Sequence, residues 1–160
     1  MGTINLFPLG IVLHITGIAL LTAGLLGSYV TLRQLWKYYP EDERQAAAVF
    51  KTSQAYNIFF GLGGALILIS GFLLLRAFQF AVTKQLWFEV KMGLVIFLVL
   101  NARIFGAPVI KKLKQLLSSS NGVADVVQHG MLRRRLRVFH ALQLLVLLII
   151  FVLAVYKFQG

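Results

Sequence analysis

Cysteine is absent from this chain of 160 residues. Disulfides, thiolate metal sites and thiol redox chemistry are thereby excluded. Acid is scarce: five Asp and Glu stand against 16 Lys and Arg, a formal net charge of +11. Charge of either sign is also scarce. Only 13% of residues are charged, where a soluble domain carries about 25%. Such a chain does not suit a water-exposed globule. The positive charge lies mostly between apolar blocks, where it sets topology and meets anionic headgroups, so it does not point to nucleic acid.

What is present is apolar, at 59% of residues, and it comes in four runs. They cover about 8–32, 56–75, 86–110 and 138–156, each near the ~20 residues that cross a ~30 Å hydrocarbon core. The fold class is all-α, a polytopic membrane protein with a bundle of four transmembrane helices in a single domain, 1–160. The first run has no basic residue before it and is too long for a cleavable signal peptide.

The loops between the runs differ in charge. The first carries Arg33, Lys37, Arg44 and Lys51, and the third carries Lys111, Lys112, Lys114, Arg133, Arg134, Arg135 and Arg137. The second offers only Arg76 and Lys84. Four crossings put the two basic loops on one side, which the positive-inside rule makes cytoplasmic. Both termini are then expected on the periplasmic or exterior side of an inner (cytoplasmic) membrane. Pro40 to Arg44 reads as a helix start, with proline and acids in a first turn. Ser118-Ser119-Ser120-Asn121-Gly122 reads as the turn-rich break in the third loop.

Two ionisable residues inside the apolar runs need explaining together. His14 is about six residues into the first run and Lys91 about five into the third, both counted from the outer side. At 1.5 Å per residue both sit roughly 7–10 Å below the outer boundary. An intramembrane ionisable residue is a functional-site hypothesis by default. The plain alternatives are a neutral His14 bonded to a neighbouring helix and a Lys91 that snorkels to the interface. Trp87 lies one turn before Lys91, and an interfacial belt role is open to it. A histidine in a four-helix bundle is a familiar haem or metal ligand, whereas one histidine is too few for a zinc or copper site.

Steps of three and four along the first run give His14, Gly17, Leu21, Gly24 and Ser28. Small residues there favour close helix packing by default; a flat surface for a planar ligand is the alternative. His140 opens the fourth run on the opposite side. About 20 Å of helix separates its depth from that of His14, so the two are not expected to hold one iron. His140 reads as an interfacial histidine. Arg103, with Lys111, Lys112 and Arg137, could bind lipid phosphates or propionates.

These residues match a known pattern. Leu13-His14 followed by Ala23-Gly24-Leu25, with Trp87 and Lys91 four residues apart, resembles the HemJ-type membrane protoporphyrinogen IX oxidases and the CopD-like small membrane proteins around them. Gly71 with Leu73-Leu74-Leu75, the run from Arg133 to Phe139, and Lys157 extend the resemblance over most of the chain. It departs at Leu21, where the family has Trp, and at His140. The resemblance implies b-type haem (haem b) bound through His14, with Gly17, Gly24 and Trp87 around it and Lys91 as opposite ligand or catalytic partner. It implies oxidation of protoporphyrinogen IX to protoporphyrin IX, with electrons passing to quinone or a respiratory chain. The competing expectation is a non-enzymatic membrane subunit, in a homo-oligomer or larger complex, or a copper-handling protein on the same bundle. A small-solute transporter fits less well, because charged pairs at mid-membrane are lacking.

Overall fold

The computed structural model describes residues 6–39, 42–118 and 126–155. The calls on Ser119 to Gly122 and on Lys157 lie outside the described residues. The chain is helical: α1 is Leu6–Tyr38, α2 Glu43–Ala77, α3 Leu86–Asn101, α4 Ala107–Ser118 and α5 Val126–Val155. A short 3-10 helix, Ala81–Lys84, precedes α3, and a π-helical turn, Ala102–Gly106, joins α3 to α4. Four continuous helical stretches are long and apolar enough to cross a membrane: Leu6–Tyr38, Arg44–Ala77, Leu86–Leu117 and Gly130–Val155. The four-crossing bundle is therefore the architecture, and each helix runs past the stretch expected from hydropathy.

The reasons are local. Asp42 caps α2, its carboxylate accepting from the Arg44 and Gln45 backbone N–H groups at 2.9 and 3.0 Å. It satisfies amides that a helix start leaves unpaired. Pro108 has no N–H to give and its ring crowds the carbonyl one turn back. The widened turn Ala102–Gly106 precedes it, and the third crossing continues through Leu117.

α1 and α2 form an antiparallel hairpin by far the closest in the molecule, and small residues make it so. A Cβ on Gly63 would lie 2.5 Å from the Leu21 nitrogen, and one on Gly24 would lie 2.9 Å from the Phe60 nitrogen. Real side chains cannot occupy such space, so the two backbones pack directly. Without a hydrophobic drive between helices in lipid, such contact is a main source of cohesion.

At about 50 Å, α1 is longer than a ~30 Å hydrocarbon core. Its second half projects at the end of the bundle that carries the basic loops. There Leu32, Leu35, Ala46, Phe50, Val109, Leu113, Leu132 and Leu136 form a buried cluster drawn from α1, α2, α4 and α5. Where water replaces lipid, apolar burial stabilises again, at roughly 25 cal/mol per Å². α4 fits this setting: Val109 and Leu113 are buried and Lys111, Lys112 and Lys114 are exposed. Along the spans large apolar side chains such as Ile58, Leu68, Phe72, Ile96 and Phe151 face outward, as lipid contact requires.

α3 is the least enclosed helix. Within Leu86–Asn101 only Asn101 is buried. It packs on α5, where the Gln143 amide donates to the Leu98 carbonyl at 3.2 Å. No Cα of α3 comes within 8 Å of one in α1.

Candidate functional site

His14 projects from α1 toward α2. Its Nδ1 is 2.9 Å from Ser70 Oγ, and Ser70 is fully buried. The serine has one hydroxyl hydrogen, and the Leu66 and Ile67 carbonyls lie 2.6 and 3.1 Å from its oxygen. With that hydrogen on the nearer carbonyl, the back-bond that serine makes within a helix, Ser70 accepts from His14. Nδ1 then carries the imidazole hydrogen and Nε2 keeps its lone pair. Nε2 has no hydrogen-bond partner among the described residues. It is also not sealed in: the only buried side-chain nitrogen or oxygen without a partner there is Asn101 Nδ2. A histidine held at one nitrogen with the other free is the arrangement that metal ligation or proton acceptance uses.

Lys91 is half-buried on α3. It is the charged side chain close enough to act electrostatically on the His14 ring. The two do not hydrogen-bond. The two side chains stand on helices that do not pack on each other, since no Cα of α3 lies within 8 Å of one in α1. Trp87 stands a turn before Lys91, half-buried. Its Nε1–H donates to Gln85 Oε1 and its ring meets Phe88 edge-on, with centroids 6.0 Å apart.

Gly17 and Gly24 follow the default expectation of close helix packing. Their bare faces are covered by α2: a Cβ on Gly17 would lie 3.0 Å from the Gly63 carbonyl oxygen, and one on Gly24 3.0 Å from that of Tyr56. Helix packing takes the space that the alternative gave to a planar ligand. Among the described residues no group of three His, Asp or Glu is placed to hold a metal ion. Any metal held at His14 would need a chelate of its own, as haem supplies.

His140 also differs from expectation. It is not a wet interfacial group but is 3% exposed. Its Nδ1–H donates to the Leu136 carbonyl at 2.8 Å, the direction fixed because a carbonyl can only accept. Tyr29 and Phe139 flank the ring at centroid distances of 5.8 and 5.2 Å. It lines a cavity of about 420 Å³ between α1 and α5, with Tyr29, Leu32, Arg33, Trp36, Arg133, Leu136 and Arg137. The sequence carried a signal for this groove: both walls repeat at helical spacing, 29-32-33-36 and 133-136-137-140. Reading Arg133 to Arg137 as a topology determinant hid it. Ser70 was missed because a lone serine in an apolar run has no distinguishing pattern. Arg103 is exposed on the π-helical turn and does not line the cavity.

Four apolar crossings and a bundle held by glycine contacts define a small multi-pass integral membrane protein. The chain belongs to the family described as Predicted membrane protein (DUF2214), whose model matches residues 9–160. No curated protein and no solved structure matches it.

Proposed function

We propose that this is a b-type haem-binding protein of the inner (cytoplasmic) membrane, similar in activity to the HemJ-type protoporphyrinogen IX oxidases. The observation that supports this reading is the His14–Ser70 bond. It fixes the tautomer in which Nε2 can ligate iron. Haem bound there would supply a redox centre in the outer half of the bilayer.

The chain's own residues have separate tasks. Ser70 orients the imidazole. Lys91 would help to hold the haem when deprotonated, or would carry protons leaving the substrate. Because α1 and α3 do not pack on each other, a flat hydrophobic ligand would reach His14 from the bilayer between them. Oxidation of the porphyrinogen releases hydrogens from its ring as protons and electrons. The electrons pass to a quinone.

The test is the visible spectrum of protein purified in mild detergent. A Soret band is expected in the wild type and its loss in His14→Ala. A His14→Ala variant that keeps the full band removes His14 as ligand. Complementation of a strain lacking its protoporphyrinogen oxidase tests the reaction separately. A second reading has a specific observation behind it: the His14–Ser70 bond already joins α1 to α2, so His14 would serve as interhelical glue in a non-enzymatic subunit or copper-handling protein. Colourless pure protein at full occupancy of the membrane selects that reading.

A further inference from the structure

The groove between α1 and α5 is unlike the rest of the surface. Arg33, Arg133 and Arg137, each also exposed to solvent, line one cavity of about 420 Å³, and no acidic residue is among the described residues of that lining. Three like charges around a shared space repel unless an anion lies between them. Guanidinium groups suit phosphate and carboxylate oxygens because their planar fork donates two bonds at once. The volume is within the usual range for small-molecule sites, about 300–1,000 Å³.

His140 is the second, independent observation. It is 97% removed from solvent by its 3% exposure, its Nδ1–H is spent on Leu136, and its Nε2 has no partner among the described residues. Nε2 is not among the sealed unpartnered atoms, so it opens on the cavity that the ring lines and can accept from a hydroxyl beside the anion. The rest of the wall is apolar or aromatic: Leu32, Leu136, Tyr29 and Trp36. Tyrosine and tryptophan of this kind favour the boundary between headgroups and acyl chains. A free inorganic anion would use the arginines alone and leave the apolar wall idle.

We propose that this cavity binds the anionic head of a membrane amphiphile. Its phosphate or carboxylate oxygens lie on Arg33, Arg133 and Arg137, and a hydroxyl of the same head donates to His140 Nε2. The inference does not rest on haem at His14, which is at the other end of the bundle.

The experiment uses the full chain, delipidated in detergent, and native mass spectrometry. Dioleoyl-phosphatidylglycerol, which has both phosphate and hydroxyl, is titrated against dioleoyl-phosphatidylcholine. Retention of one phosphatidylglycerol is expected, preferred at least about tenfold, the weight of a single charge-assisted hydrogen bond. Arg33→Gln with Arg137→Gln abolishes the preference. Arg134→Gln with Arg135→Gln, the same charge change on exposed neighbours outside the cavity, keeps it. A parallel titration with haem identifies a carboxylate-bearing source if its retention falls in the cavity pair and survives in His14→Ala. The proposal is overturned if neither ligand is preferred over phosphatidylcholine, or if the exposed pair lowers retention as much as the cavity pair.

Discussion

Ser70 accepts the hydrogen bond from His14, and it can do so because its own hydrogen is already given to Leu66. A serine and a backbone carbonyl thus decide which nitrogen of a histidine on another helix stays basic. Ser70→Ala frees the ring to rotate and to change tautomer. In stability the loss should be small, since bonds between transmembrane helices average about 0.6 kcal/mol. In ligand affinity it should be larger, about 10–100-fold, as for other groups that orient a metal ligand. Parallel haem titration and unfolding in detergent check both. Equal affinity in Ser70→Ala and wild type would show that the bond does not prepare Nε2.

The hairpin of α1 and α2 makes a second prediction with an internal control. Gly63 and Gly64 are neighbours in one helix with opposite surroundings. A Cβ on Gly63 would meet the Leu21 nitrogen at 2.5 Å and the Gly17 carbonyl at 2.7 Å, whereas one on Gly64 meets nothing within 4 Å. Gly63→Ala must push backbone from backbone and should cost about 1–3 kcal/mol or more. Gly64→Ala should be neutral or stabilising, by up to about 1 kcal/mol, the helix preference for alanine. Unfolding midpoints of the two variants in one detergent settle the order. Equal midpoints would mean the hairpin is not sealed at Gly63.

A third prediction concerns the polar patch between α3 and α5. Asn101 is 5% exposed and its Nδ2 has no partner. Gln143, 2% exposed, donates to the Leu98 carbonyl. These amides are not equivalent. Asn101→Leu removes a buried donor that gains nothing and should be neutral or stabilising by about 1 kcal/mol. Gln143→Leu removes a made bond and should loosen α3, visible as faster hydrogen exchange in its amides. A destabilised Asn101→Leu would show that Nδ2 serves a bound partner.

The bundle was legible in the sequence because lipid imposes a simple rule: every crossing needs about twenty apolar residues. The same rule explains what was missed. Helices outrun the hydrocarbon, so Leu32 to Tyr38 and Glu43 to Tyr56 carry no crossing signal, yet they build the best-packed cluster. The depth match of His14 and Lys91 followed from counting residues at about 1.5 Å each. Counting could not give the rotation of α1, which turns Gly17 and Gly24 onto α2. Nor could it give the pairing of α1 with α5 that encloses His140, since helix order in sequence does not fix neighbours in space.

That pairing can be tested where α5 also meets the π-helical turn. Gly106 is buried, and a Cβ on it would lie 2.7 Å from Cζ of Phe139 and 3.0 Å from Cε2. The Phe139 ring stands edge-on to His140 at 5.2 Å. Gly106→Ala must therefore move the ring, and the ring packs against His140. A loss of about 1–3 kcal/mol is expected, typical of overpacking. Phe139→Leu in the same chain shortens the opposing side chain and should restore most of it, although alone it would cost stability. The double-mutant cycle isolates the contact, because each change acts on the other's space. Additive effects would mean that Gly106 and Phe139 do not touch, and the docking of the third crossing onto α5 would have to be redrawn.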